Sequence, residues 1–308
     1  MVVNFLRDFK NYLRLKKLEK NYSRAFFIEN KFLYKYLVQY INYKESALIS
    51  YEKFDISNQS DTNLFIFKKN FFQQLVFLTI NIKYIYSSTP GLNQTIFQKS
   101  KLYNNKYIYI QHSSIGLINA YNHDAFLNFD VVQVTNKFQL NDLNIINKRY
   151  NKKIKVLKSK YSLFNKSFKS VSFDLNILIA PSWNTFFFKN DYHKILFRLL
   201  SEKNMCFSIR PHPMSFKKKE VSKLELEAIG YKIDDNDEFD FNNFNTLISD
   251  WSGIFIEFSY FLKKKAFLIN SPKKILNKYT QKLDDQSIEE FSRHEIGRVY
   301  EENSLKEM

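Results

Sequence analysis

Residues 247–270 read LISDWSGIFIEFSYFLKKKAFLIN: an apolar run of strand length ends in Ser249-Asp250-Trp251-Ser252-Gly253, turns directly into a helix-like segment, and meets a second apolar run, AFLIN. Strand, turn, helix and strand in that order predict a βαβ unit of a parallel sheet. Upstream, NILIAPS (176–182), CFSIRPH (206–212) and TLISD (246–250) continue the pattern. A separate series precedes them: ALIS (47–50), LFIF (64–67), YIYSS (84–88), YIYIQH (107–112), VVQV (131–134) and IKVL (154–157), with helix-like pieces such as 70–81 between. Residues 158–173, rich in Lys and Ser, read as the connection. The expectation is an α/β chain of two doubly wound domains, 1–165 and 166–308, facing across a cleft, with no repeat of fixed period. Such domains bind ligands at the carboxyl ends of their strands, so functional motifs should follow strands directly.

The length of 308 residues fits two cores of ordinary size. Hydrophobic residues at 44%, aromatics at 18% and charged residues at 25% exclude a disordered chain. The net charge of +16 implies attraction to polyanions: nucleic acid, an anionic membrane face or a phosphate-rich substrate. A single Cys206 excludes an intramolecular disulfide and a cysteine zinc cluster; its apolar run predicts a small core residue in a reducing compartment. No stretch has the length of a membrane span and no signal peptide is evident, so the cytoplasm is the expected location. Residues 1–22 place Phe5, Leu6, Phe9 and Leu13 at helical spacing among Arg7, Lys10, Arg14, Lys16, Lys17 and Lys20. This basic amphipathic helix either lies in an anionic membrane interface or packs on the first domain with a solvated basic face.

Three strand-end motifs carry the candidate chemistry. At 249–253, the hydroxyls of Ser249 and Ser252, backbone N–H groups and Gly253 suit close approach of a phosphate, and Asp250 and Glu257 stand beside them; Glu257 can accept hydrogen bonds from a ribose. A plain Ser/Asp helix cap is the alternative. After the strand MCFSI, Arg210-Pro211-His212-Pro213 forms a loop stiffened by two prolines, presenting a guanidinium and an imidazole that can neutralise charge on a leaving phosphate. In the first domain, Gln111-His112-Ser113-Ser114-Ile115-Gly116 places an imidazole at a strand end, where His112 can take a proton from an acceptor hydroxyl. His123, His193 and His294 read as structural or surface groups. Asp235-Asn236-Asp237 lies in an acidic loop and reads as a solvated charge run, so no metal site is expected; no Walker or GxGxxG motif occurs, and no cofactor is expected.

The order of His112, Ala180-Pro181-Ser182-Trp183, Arg210-Pro211-His212-Pro213 and Ser249-Asp250-Trp251-Ser252 resembles the CDP-glycerol glycerophosphotransferases, which include teichoic acid primases and polymerases. The similarity runs from about Thr89 to Gly297 and includes Ala125-Phe126-Leu127-Asn128-Phe129-Asp130 and Lys265-Ala266-Phe267. The resemblance implies a GT-B fold of two Rossmann-like domains, with the acceptor on the first and the cytidine nucleotide on the second. Carried over by position, His112 is similar to the family's base, His212 and Arg210 to its phosphate-stabilising pair, and Ser249, Asp250, Ser252, Gly253 and Glu257 to its nucleotide site. The implied partners are a CDP-linked donor and a membrane-anchored glycan or polymer acceptor at the inner face of the bacterial membrane. Two positions depart from the family pattern: His-Ser-Ser replaces His-Gly-Thr, and Ser-Asp-Trp-Ser-Gly replaces Ser-Asp-Tyr-Ser-Ser. The competing functions are a CMP-sugar-dependent glycosyltransferase, a basic nucleic-acid-binding protein, for which no specific module is present, and an inactive scaffold.

Overall fold

The computed structural model describes residues 2–54, 63–94, 96–159, 176–183, 186–235, 241–271, 288–295 and 298–300. The connection expected at 158–173 falls outside them from residue 160, as do Asn236, Asp237, Gly297 and the His294 side chain. The strands are β1 (Arg24–Ile28), β2 (Ser46–Ser50), β3 (Leu64–Ile66), β4 (Tyr84–Ser87), β5 (Lys106–Tyr109), β6 (Val131–Val134), β7 (Lys155–Lys158), β8 (Asn176–Ile179), β9 (Cys206–Ile209), β10 (Thr246–Ser249), β11 (Lys265–Ile269) and β12 (Arg298–Tyr300). The helices are α1 (Val2–Leu18), α2 (Lys31–Leu37), α3 (Asn70–Thr79), α4 (Leu117–Ala120), α5 (Lys137–Arg149), α6 (Tyr192–Glu202), α7 (Pro213–Lys217), α8 (Lys223–Ile229), α9 (Gly253–Phe255) and α10 (Ile288–Glu295). Every apolar run named from the sequence forms a strand. The sequence reading passed over β1, RAFFI, and the three-residue β12.

Two compact units result: Met1–Ser113 with Ala120–Asn165, and Ser114–Asn119 with Lys166–Met308. In the first, all strands are parallel in the order β3-β2-β1-β4-β5-β6-β7. Successive β1 side chains point to opposite faces, yet Phe26 and Phe27 are both sealed from solvent. Phe26 stacks on Tyr86 at 4.8 Å, while Phe27 meets Phe77 at 4.8 Å and Phe97 at 4.6 Å. Burial on both faces is why β1 lacks the alternation that marks a half-exposed strand.

The second unit holds a parallel sheet in the order β12-β11-β10-β8-β9. Ile177, Ile179, Ile209 and Ile248 pack against Tyr192, Leu196 and Leu200 of α6 and Leu226 of α8. Gly230 caps α8 at φ +106°, where a Cβ would lie 2.7 Å from the Phe197 ring. His193 is buried in this unit beside Phe188 at 5.3 Å. Cys206 corrects the sequence reading: it is exposed, because β9 is an edge strand and Cys206 stands at its amino end.

Helix α1 forms as its periodicity predicts and is held to the protein by polar groups together with Leu15 and the contacts of Phe5, Phe9 and Tyr12 with Phe72. Asp8, fully buried, accepts the Lys68 and Lys69 N–H groups at 2.8 Å each, and Asn11 donates to the Ile66 carbonyl at 2.9 Å. Arg14 donates to the Leu64 carbonyl and Leu15 is buried. Phe5, Leu6, Phe9 and Leu13 remain 48%, 52%, 44% and 51% exposed, with Lys10 and Lys17 on the same outer side. Among the described residues no helix is long and apolar enough to cross a membrane.

Candidate functional site

In the second unit the strand order reverses between β8 and β10, so the loops leaving these neighbours open a crevice at their carboxyl ends. The sequence-predicted residues of this unit gather there and at the adjoining end of β9. The Ser182 N–H, after β8, donates to Asp250 Oδ1, after β10, at 2.7 Å. Ser249 Oγ donates to the Ala180 carbonyl at 2.7 Å. Both Ser249 and Asp250 are fully buried. The Ser249 hydroxyl thus ties β10 to the loop after β8. Ser252, the N-cap of α9, and Gly253, its first residue, are the partly exposed part of the turn.

Beyond α9 the chain continues as a π-helix, Ile256–Phe261, a rare winding that is frequent at functional sites. Glu257, near its start, is 9% exposed, so its carboxylate lies deeper than a ribose-facing group on an open helix would.

Arg210 and His212 follow β9. Arg210 Nη1 pairs with Asp234, 3.3 Å from Oδ2 and 3.3 Å from the carbonyl oxygen. The ion pair fixes the position of the guanidinium, a planar group of five N–H donors suited to phosphate oxygens. His212 caps α7: its Nδ1 accepts the Met214 N–H at 3.1 Å, and Pro213 occupies the first helical position. That bond assigns the proton of the neutral ring to Nε2, a donor suited to a phosphate oxygen. The Trp183 ring lies 6.2 Å from His212, and Lys218 Nζ sits 4.5 Å over the same indole. Trp183 and its neighbour Ser182 therefore link the β9 loop to the β10 turn.

Sequence reasoning missed the groups that brace this turn from behind. The Trp251 Nε1–H donates to the Ser271 carbonyl at 2.6 Å, and the Arg293 guanidinium lies 4.1 Å over its ring. Arg293 belongs to α10, far along the chain, and no local pattern marks it.

In the first unit His112 lies in a ring of tyrosines, with centroids of Tyr36, Tyr109 and Tyr121 at 6.2, 6.2 and 5.9 Å. Its Nδ1 is 2.9 Å from the Tyr109 hydroxyl, and the ring also bonds the Ser88 backbone. Burial pushes the imidazole pKa down to about 4, against a smaller opposing effect of the Ser88 bond. His112 is therefore uncharged at neutral pH, as a proton acceptor must be, although the shift weakens its basicity. Burial also raises the Tyr109 phenol well above its ordinary range, so that hydroxyl keeps its proton. The strand order of this unit reverses between β1 and β4. There Thr89 Oγ1 donates to Glu29 Oε2 at 2.8 Å, an exposed carboxylate that the sequence reading did not single out.

His123 packs against Tyr150 at 6.1 Å. Asp235 pairs with Lys223. Among the described residues no three His, Cys, Asp or Glu side chains stand close enough to hold a metal ion.

The sequence matches no protein-family model. It matches no curated protein either. Solved structures share the fold, and two of them illustrate it. A histidine-to-alanine variant of the wall teichoic acid polymerase TagF is 14% identical, with a TM-score of 0.55 over 99% of this chain and 87% of that one. A UDP-N-acetylglucosamine 2-epimerase from Rickettsia bellii is 13% identical, with a TM-score of 0.53 over 80% of this chain and 78% of that one. At these identities the likeness defines architecture alone: two Rossmann-like α/β units of the GT-B fold.

Proposed function

We propose that the chain is a transferase that moves glycerol phosphate, or a related polyol phosphate, from a CDP-linked donor to a membrane-associated glycan or polymer in cell-surface polysaccharide synthesis. The observation that carries the reading is the gathering of Ser182, Trp183, Arg210, His212 and the 250–253 turn at the ends of three adjacent strands, at the point where the sheet order reverses. In the second unit, Ser252, the Gly253 backbone, Arg210 and His212 bind the donor's phosphates; Ser249 and Asp250 hold the turn in shape, and Glu257 supports the nucleoside side. In the first unit, His112 accepts the proton of the acceptor hydroxyl as that oxygen attacks the distal phosphorus. The phosphoanhydride bond breaks, CMP leaves, and Nε2–H of His212 with Arg210 stabilises the charge that develops on it.

The membrane part of the reading rests on α1. A helix fixed to the protein largely through polar groups, with Leu6, Leu13, Lys10 and Lys17 exposed and Phe5 and Phe9 half exposed beside Phe72, suits insertion into an anionic bilayer surface. This arrangement favours the membrane alternative over a packed helix with a solvated basic face.

The reaction is tested with purified protein, CDP-glycerol, CDP-ribitol and CMP-sugars, following CMP release by mass spectrometry. Release from a CDP-polyol supports the assignment. Release from CMP-sugars alone makes the protein a glycosyltransferase, and release from none, with tight salt-sensitive binding to random oligonucleotides, makes it a nucleic-acid-binding protein.

A further inference from the structure

Helix α10 carries two almost completely buried charged side chains one turn apart, Glu289 at 7% exposure and Arg293 at 3%. Buried charges are costly unless held by good partners, and both have them. Glu289 Oε1 accepts the Gly116 N–H at 2.8 Å, and its Oε2 lies 3.5 Å from Asn119 Nδ2. Arg293 Nη1 donates to the Asp250 carbonyl at 3.0 Å; its Nη2 donates to the Ile269 carbonyl at 3.2 Å and lies 3.4 Å from Asn270 Oδ1, while its plane covers Trp251.

Each partner has a particular place in the chain. Asp250 and Trp251 belong to the turn that the proposed function assigns to the donor phosphates. Gly116 and Asn119 belong to the segment Ser114–Asn119, which leaves the strand-end motif of His112 yet packs as part of the second unit. The bonds from α10 lie within that unit, where a carboxylate on this helix satisfies the buried Gly116 N–H. A single turn of helix therefore connects the phosphate turn at one end to the chain leaving the proposed base at the other.

We propose that Glu289 and Arg293 are positioning residues that make α10 a strut between these two segments, so that the phosphate turn and the 114–119 segment keep one register. The inference rests on the proposed transferase reading for its catalytic meaning. Arg293 acts through the backbone of Asp250 and the ring of Trp251, and Glu289 acts through Gly116; neither is assigned a contact with substrate. Arginine suits its place because a planar fork reaches several carbonyls at once while stacking on an indole, which a lysine ammonium does not do.

The test uses the full chain with Arg293→Lys, Glu289→Ala and Glu289→Gln, measuring amide hydrogen exchange, CMP affinity by calorimetry and steady-state kinetics with CDP-glycerol. The strut predicts faster exchange at both 114–119 and 250–253 in Arg293→Lys and in Glu289→Ala, although each change removes bonds to one segment only. Glu289→Gln should exchange like the parent, because its amide oxygen still accepts the Gly116 N–H. CMP affinity should fall about tenfold in Arg293→Lys, the scale of a lost charged hydrogen bond. CMP affinity should also fall in Glu289→Ala, although Glu289 bonds only the 114–119 segment, because loosening that segment loosens the phosphate turn as well. Exchange that rises only beside the altered residue, or parent-like exchange in both variants, overturns the strut. Exchange coupled as predicted, in a parent that neither binds CMP nor uses CDP-glycerol, upholds the strut and removes the transferase reading instead.

Discussion

Replacing Phe9 and Leu13 together by serine should separate membrane binding from folding, because α1 is held by one side and exposed on the other. Fully burying a Phe or Leu is worth about 1.5–3 kcal/mol. These two residues are 44% and 51% exposed, so about half of that remains to be gained by each on entering a bilayer. The pair then contributes about 2 kcal/mol, or roughly 30-fold in partitioning, since about 1.4 kcal/mol is tenfold. The outward Lys10 and Lys17 add about 1 kcal/mol each near an anionic surface, a contribution that salt screens. Cosedimentation with phosphatidylglycerol vesicles should show the loss, and vesicles of neutral phosphatidylcholine should bind the parent weakly. The thermal midpoint should fall only slightly, because the bonds of Asp8, Asn11 and Arg14 that fix the helix are untouched and the packing lost is the contact of the half-exposed Phe9 with Phe72. Undiminished vesicle binding in the double variant would refute the assignment of this face, and a large drop in midpoint would mean that the side chains were packing the protein all along.

Acid should destabilise the fold in a window set by His112. Its folded pKa is about 4 against 6.5 for the free residue, so between these values the unfolded chain binds more protons. The contribution is fully present above pH 6.5 and is lost as pH falls towards 4; His193, also lowered mainly by burial, acts in the same direction. Urea unfolding at pH 7.5 and 5 should give a smaller difference in His112→Asn than in the parent. Ser249→Ala should lower stability by about 1 kcal/mol in urea melts, because it removes the bond to the buried Ala180 carbonyl; an unchanged midpoint with weaker CMP binding would return the hydroxyl to direct phosphate contact. Tyr109→Phe removes the only hydroxyl bonded to His112 Nδ1 among the hydrogen bonds described, and should move the acid limb of kcat/KM while leaving the donor KM within about twofold. A profile identical to the parent's would make Tyr109 a packing residue.

The fold was largely legible because strands buried on both faces give continuous apolar runs, and the punctuation between them is polar. The exceptions follow from the same rule. β1 is only RAFFI, close behind a basic helix, and its neighbours Phe26 and Phe27 serve opposite faces, so neither periodicity nor length stood out. Cys206 looked internal from its apolar neighbours, but strand order decides exposure, and the sequence does not reveal that β9 is an edge. In the candidate site, the motif residues were readable because they follow strands directly. Their division of labour was not: which hydroxyl is engaged by Ala180, and which ring nitrogen by Met214, depends on neighbours distant in sequence or on loop geometry. Glu29, Tyr109, Glu289 and Arg293 were missed for that reason, since each acquires meaning only through a partner brought in by the fold.

The central claim is that a cytidine-linked phosphate is bound at the ends of β8, β9 and β10 and transferred from there. Single-turnover quench-flow with radiolabelled CDP-glycerol and a membrane acceptor measures this directly, comparing the parent with His212→Ala and His112→Ala. The account predicts labelled glycerol phosphate on the acceptor with stoichiometric CMP, and a fall of about 10²-fold or more in each variant at unchanged fold. Label transferred at parental rates by either alanine variant, or no transfer from any CDP-linked donor by the parent, would contradict it.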